Sequence, residues 1–351
     1  MTHRLLSSIL TAAMGIVLLS LVAVPVVAQT PSAAATTASR DWTPPKTPWG
    51  DPDLQGIYTS DDYISVGLQR QAQYGTRLYL TDEEMAAAED RIRTTAQRDS
   101  EEFANPNGNV GTGPPSHWGE RARRAPRQTS LIVEPEDGRL PALTPEGQAR
   151  QAAANATRFF DPGQRTVESW ENFTYYIRCI TRGLAGSVLP VIYGNGTEIV
   201  QAPGYVAILQ EMVHEARIIP LDRSPHVGED IRTYMGDSRG HFEGNTLVIE
   251  TTNLLGNRTG VGPNGGGAPL SEVARITERL TRIDQDTIAY EMRVEDPRTF
   301  TAPFRVAFPI RQEPGYQNFE YACHEGNNGM MNQLSAARAQ ERAAEEAEKV
   351  K

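Results

Sequence analysis

The chain has 351 residues, of which 39% are hydrophobic and 22% charged, and its formal net charge is −10. An acidic balance of this kind repels phosphate backbones and argues against a nucleic-acid partner. The length suits one large domain or two small ones, with enough chain to bury a sizeable core.

Residues 1–28 read as a signal peptide. Arg4 supplies a positive n-region, Leu5 to Val27 is apolar, and Ala28 is small enough for signal peptidase. No later stretch approaches a membrane span, so no transmembrane segment is expected after cleavage. The expected location is periplasmic or secreted. Two cysteines in an exported chain, Cys179 and Cys323, predict a disulfide. The pattern Cys-x-x-Cys-His does not occur, which excludes covalent c-type haem.

Residues 29–167 read as an N-terminal region of extended and helical segments. Asp41 to Gly56 is rich in Pro and Trp, and Trp42, Trp49 and Leu54 are placed to pin an arm across the body. Thr81 and Glu84 form a capping-box signature that opens a helix. Thr144-Pro145 opens a second helix. Arg121, Arg123, Arg124 and Arg127 cluster between them as solvated surface.

Residues 168–333 read as an antiparallel β domain. Strand-like runs are expected at 198–202, 205–214, 216–221, 233–242, 246–252, 272–283, 287–295, 304–311 and 319–324. Glu243-Gly244-Asn245 and Asp284-Gln285-Asp286 read as hairpin turns. Such a series implies a mainly β fold, an antiparallel β-barrel or sandwich of lipocalin-like general shape. The Gly-rich loop Gly256 to Gly267 would sit over one end. Residues 334–351 form a charged tail, a solvated helix or a frayed end.

The run from Tyr205 to Leu221 reads as one long strand or a bent pair. Alternation puts His214 on its more apolar face, and Glu211, Glu215 and Arg217 on an outer ladder of charges. A bulge near Val213 would exchange the two faces. An imidazole in a half-dry setting can serve proton transfer, so His214 is a candidate catalytic group. His324 with Glu325 is the second. Asp237, Arg239 and His241 alternate with small residues and would share one face of a strand, as a water-facing surface or a pocket wall. Arg178 and Arg182 flank Cys179, and a bridge to Cys323 would bring both guanidiniums near His324 and Glu325 to hold an anionic or oxygen-rich group. No cofactor is predicted. His214-Glu215 lacks the second His of a helical zinc motif, since position 218 is Ile, so no local spacing supports a metal.

Pro52-Asp-Leu-Gln-Gly56, Arg178-Cys-Ile-Thr-Arg182, Gly236-Asp-Ser-Arg-Gly240 with Glu243-Gly244, and Cys323-His-Glu-Gly-Asn327 resemble the motifs of a broad group of secreted bacterial proteins without an assigned activity. The resemblance spans most of the chain and implies an exported bacterial protein. It transfers no catalytic residue.

The expected function is an exported enzyme acting on a small organic substrate, anionic or oxygen-rich, by acid–base chemistry of the hydrolase or lyase type. The alternative is a non-catalytic barrel carrier of an apolar or aromatic small molecule. The partner is a small molecule in both cases. The sequence sets no oligomeric state.

Overall fold

The computed structural model describes residues 42–104, 119–157, 167–313 and 315–349, without the side chains of 102–104, 157 and 214. The expected signal peptide and leader, up to Asp41, therefore lie outside the described residues.

Among the described residues ten strands form one sheet. They are β1 (Gly56–Thr59), β2 (Ile132–Glu134), β3 (Thr197–Ala202), β4 (Tyr205–Gln210), β5 (Ala216–Pro220), β6 (Asp237–Glu243), β7 (Thr246–Thr252), β8 (Arg275–Arg282), β9 (Thr287–Glu295) and β10 (Phe304–Gln312). Their order is β5-β4-β3-β1-β10-β9-β8-β7-β6, with β2 on the free stretch of β10. Every ladder is antiparallel. The hairpins follow the turn chemistry: Gly204 and Gly244 take positive φ between β3 and β4 and between β6 and β7.

The end strands β5 and β6 run side by side, so the sheet curls into a nearly closed barrel. Gly240 sits at this seam. A Cβ there would come within 2.9 Å of Ile219 Cγ2 and Leu221 Cδ2, so a larger residue would push the strands apart. Barrels of this size can enclose a small ligand or be filled by their own side chains. The inward positions here are buried, among them Ile199, Val206, Ile219, Leu247, Ile276, Met292 and Phe308.

The strand β1 joins the two halves of the barrel, pairing β3 on one side and β10 on the other. It comes from the N-terminal region, as does β2, so the sheet crosses the expected boundary at 167/168. The Pro- and Trp-rich arm leads into β1. Leu54 is fully buried, its N–H donates to Gln201 Oε1 at 2.6 Å, and Arg282 Nη1 donates to the Asp53 carbonyl at 3.0 Å. The arm therefore packs over the barrel end where β3 and β8 finish.

The opposite end is covered by α3 (Gly183–Val188), whose six residues are all buried, and by the Gly-rich loop. Their approach depends on glycine, because a Cβ on Gly186 would lie 2.2 Å from the Gly265 nitrogen. Outside the barrel lie α1 (Asp82–Ala104), α2 (Pro145–Thr157) and α4 (Asn328–Lys349). At the start of α1 the Thr81 N–H donates to Glu84 Oε2 at 2.8 Å and the Glu84 N–H to Thr81 Oγ1 at 3.2 Å. Helix α4 begins before the expected tail and buries Ala337 against Val167 and Phe173.

Two expectations are corrected. Residues 319–324 form no strand; Phe319 is 74% exposed, and the backbone turns through Cys323. Of its two expected forms the run Tyr205 to Leu221 takes the bent pair, but the face assignments are corrected, because Val213 at φ +63° turns the chain between β4 and β5. That turn exchanges the faces. Val206 and Ile208 point inward on β4, but Arg217 and Ile219 do so on β5. Arg217 thus leaves the expected outer ladder and crosses the interior to Glu278, with Nη1–Oε2 at 2.5 Å and Nη2–Oε1 at 2.9 Å.

Candidate functional site

A large cleft opens outside the barrel wall, beside the α3 end. Its volume is ≈ 660 Å³, and it lies between α2, the segment 171–181, the Gly-rich loop and the β9–β10 connection. One wall is an ion network. Glu146 on α2 accepts from Arg150 Nη1 at 2.6 Å and from Arg298 Nε at 2.9 Å, and Arg298 also pairs with Glu272. Hydrogen bonds from Arg298 and then Arg150 hold the Glu146 carboxyl below its usual range. Arg150 also donates to the Arg298 carbonyl at 2.7 Å, which fastens α2 to the β9–β10 connection.

The facing wall is aromatic and cationic. The Arg178 guanidinium lies 4.3 Å from the Trp170 ring centroid and 5.3 Å from that of Tyr175. Arg258 lies 5.8 Å from the Tyr175 centroid and donates to its hydroxyl at 3.0 Å. Neither guanidinium has a carboxylate partner among the described residues. Such a ladder offers stacking faces and positive charge together.

Deeper at the same end lies a buried polar cluster. The Tyr176 and Tyr193 hydroxyls are 3.1 Å apart, Tyr321 stacks on Tyr193 with centroids 6.4 Å apart, and Arg182 lies beside them at 1% exposure. Burial pulls the Arg182 guanidinium down to about 10, against the raising influence of the tyrosines and Glu120. Burial, followed by Tyr193, pushes the Tyr321 hydroxyl up to about 12. On the far side, Asn195 Nδ2 donates to Asp61 Oδ1 at 2.9 Å and to Glu120 Oε2 at 2.8 Å. Burial, followed by the adjacent Asp61 carboxyl, pushes Glu120 up to about 8.

The structure separates the residues that the sequence groups together. Cys179 and Cys323 are bridged, with Cα atoms 5.7 Å apart. Arg178 and Arg182 nevertheless part company. Cys179 at φ +56° bends the chain between them, and Arg178 lines the large cleft while Arg182 is buried. His324 and Glu325 are exposed on the turn after Cys323 and join neither guanidinium. Asp237, Arg239 and His241 do share one face, and it is the outer face of β6, because Ser238 and Gly240 take the inward positions. There Asp237 pairs with Arg239 and accepts or shares a proton with His226 at 2.8 Å, while His241 meets Glu243 at 3.2 Å. They form part of an ion-pair ladder on the barrel wall. The His214 backbone closes the turn before β5, and its side chain lies outside the described residues.

Sequence reasoning missed Tyr193, Glu120, Asp61 and Arg258 as site residues. The aromatic run Trp170, Phe173, Tyr175 and Tyr176 ahead of Arg178 was the visible signal for the cleft. Glu120 and Asp61 carry none, since their partner Asn195 is distant in sequence. Among the described residues no group of three or more His, Cys, Asp or Glu side chains is placed to hold a metal ion. Among them too, no helix is long and apolar enough to cross a membrane. Comparison with protein-family models, with curated proteins and with solved structures gives no match.

Proposed function

We propose that this is an exported, non-catalytic binding protein for a small planar aromatic anion, held in the cleft beside the barrel. The observation that carries the reading is the Trp170–Arg178–Tyr175–Arg258 ladder, whose guanidiniums have no carboxylate partner among the described residues. An aromatic ring would continue the stack, and its acidic group would meet both arginines. The volume of ≈ 660 Å³ suits a small organic ligand. Export is supported by the Cys179–Cys323 bridge, which persists in an oxidising compartment. Likeness to lipocalin carriers is one of architecture alone.

The test is titration with 2-naphthoate and its uncharged methyl ester, followed by tryptophan fluorescence. The acid should bind and be recovered unchanged, the ester should bind less, and R178A/R258A should weaken the acid by about tenfold. Equal binding of acid and ester, or no binding of either, would overturn the reading. An acid–base enzyme is the second reading. It is favoured by Glu120, which lines a separate cleft of ≈ 600 Å³ beside α1 and whose carboxyl, raised to about 8, suits proton transfer to a ligand bound there. Conversion of the bound ligand on incubation would select it.

A further inference from the structure

We propose that Arg182 and the hydroxyls of Tyr176, Tyr193 and Tyr321 form a binding site for a compact oxyanion, a small carboxylate or inorganic phosphate. The argument begins with desolvation. A guanidinium at 1% exposure has lost its water, and a buried charge is tolerated only when it is paired and hydrogen-bonded. Among the described residues, Nε and Nη2 of Arg182 are buried and have no hydrogen-bond partner. No carboxylate lies within ion-pair distance of this guanidinium among those residues. Glu120 is near enough to act on it electrostatically, but its own carboxyl is shared with Asp61 and Asn195 and is held in the neutral form by burial.

The surrounding groups are donors. Tyr176 and Tyr193 are joined hydroxyl to hydroxyl at 3.1 Å, and the Tyr321 hydroxyl interacts with both. Arg182 interacts electrostatically with all three tyrosines, and hydroxyls clustered beside a guanidinium make a set of donors that an oxyanion satisfies and a chloride fills poorly. Access is provided as well. Tyr176 and Tyr321 line a second cleft of ≈ 330 Å³ over the disulfide, which brings two of the three tyrosines to an opening. The bridge fixes that wall, because Cys179 and Cys323 carry the chain ends from which Arg182 and Tyr321 project. This site does not rest on the aromatic cleft, whose arginines are Arg178 and Arg258.

The experiment measures the thermal midpoint of the full chain in sodium phosphate and in sodium acetate, each against sodium chloride at equal ionic strength. Affinities come from calorimetric titration with the same salts. At least one oxyanion should raise the midpoint saturably where chloride does not, and which of the two does so assigns carboxylate or phosphate. Arg182→Met should bind it about tenfold more weakly or worse, and Tyr321→Phe should weaken it less. R178A/R258A should keep the full response, which separates this site from the aromatic one. No response beyond chloride, or an unchanged response in Arg182→Met, would overturn the proposal. Should Arg182→Met fail to fold, wild-type affinity in both Tyr176→Phe and Tyr321→Phe would overturn it equally.

Discussion

Two buried arginines in this molecule have opposite surroundings. Arg217 crosses the barrel interior and meets Glu278 with both terminal nitrogens, while Tyr290 donates to the same carboxylate at 2.9 Å. Burial alone would lower the Arg217 guanidinium, and the Glu278 charge outweighs it, so the group is held above its usual value. Arg182, at the barrel end, has tyrosine hydroxyls where Arg217 has a carboxylate, and burial prevails there. In the first arrangement both terminal nitrogens are paired with a carboxylate and only Nε lacks a partner, so it is a structural device. The second has donor capacity left over, which is what a binding site requires.

The largest expected effect comes from breaking the closed pair. Glu278→Ala should cost about 3–5 kcal/mol, because it leaves an uncompensated charge in the interior. Replacing both partners, Arg217→Met with Glu278→Leu, should restore stability to within about 1 kcal/mol of wild type or exceed it. Chemical denaturation of the three proteins measures this. A double variant as unstable as the single one would show that the pair stabilises beyond its own charge balance.

The next effect is on pH dependence and falls at the Arg182 end. Glu120 is raised from 4.5 to about 8 in the folded protein, by burial first and the Asp61 carboxyl second. An acid raised on folding binds its proton more tightly in the native state. Its contribution to stability is therefore whole below the unfolded value, declines as pH rises, and is lost once pH passes the folded value near 8. The groups facing it are Asp61, the Asn195 amide and the Gly194 N–H, with Arg182 and Tyr316 within electrostatic reach. Thermal midpoints between pH 5 and 9 should fall more steeply in wild type than in Glu120→Gln. Parallel curves would remove the special role of this carboxyl.

The contrast between the two arginines also marks how far the sequence could be read. The barrel was legible because its longer strands alternate strictly; Ile276, Glu278, Leu280 and Arg282 all face inward on β8. Its central joint was not, since the four residues of β1 are too few to display a period. The placement of Arg217 was hidden by one left-handed residue, Val213, which reverses every face after it. Glu278 reads as an outer charge until its partner across the barrel is known. At the candidate site, Arg178 stood in the right aromatic stretch and lines the cleft. The grouping of Arg178 and Arg182 with His324 and Glu325 failed because positive φ at Cys179 turns the two arginines apart, and the turn after Cys323 carries the other two outward. Local bends of this kind leave little trace in composition, whereas a two-residue period repeats often enough to be seen.

The smallest expected effect is the sharpest discriminator. Where truncating either member of the interior pair is costly, Arg182→Met in oxyanion-free buffer should change stability by less than about 1 kcal/mol, in either direction. It removes a charge that has no paired carboxylate to strand, and Met retains apolar bulk against the tyrosines. Adding the preferred oxyanion should then stabilise wild type alone, so the gap between the two proteins opens only with ligand present. A loss as large as that of Glu278→Ala, independent of oxyanion, would make Arg182 a second structural arginine whose hydroxyl neighbours already satisfy it. The measurement thus separates a residue that the fold needs from one that the fold holds ready for something else.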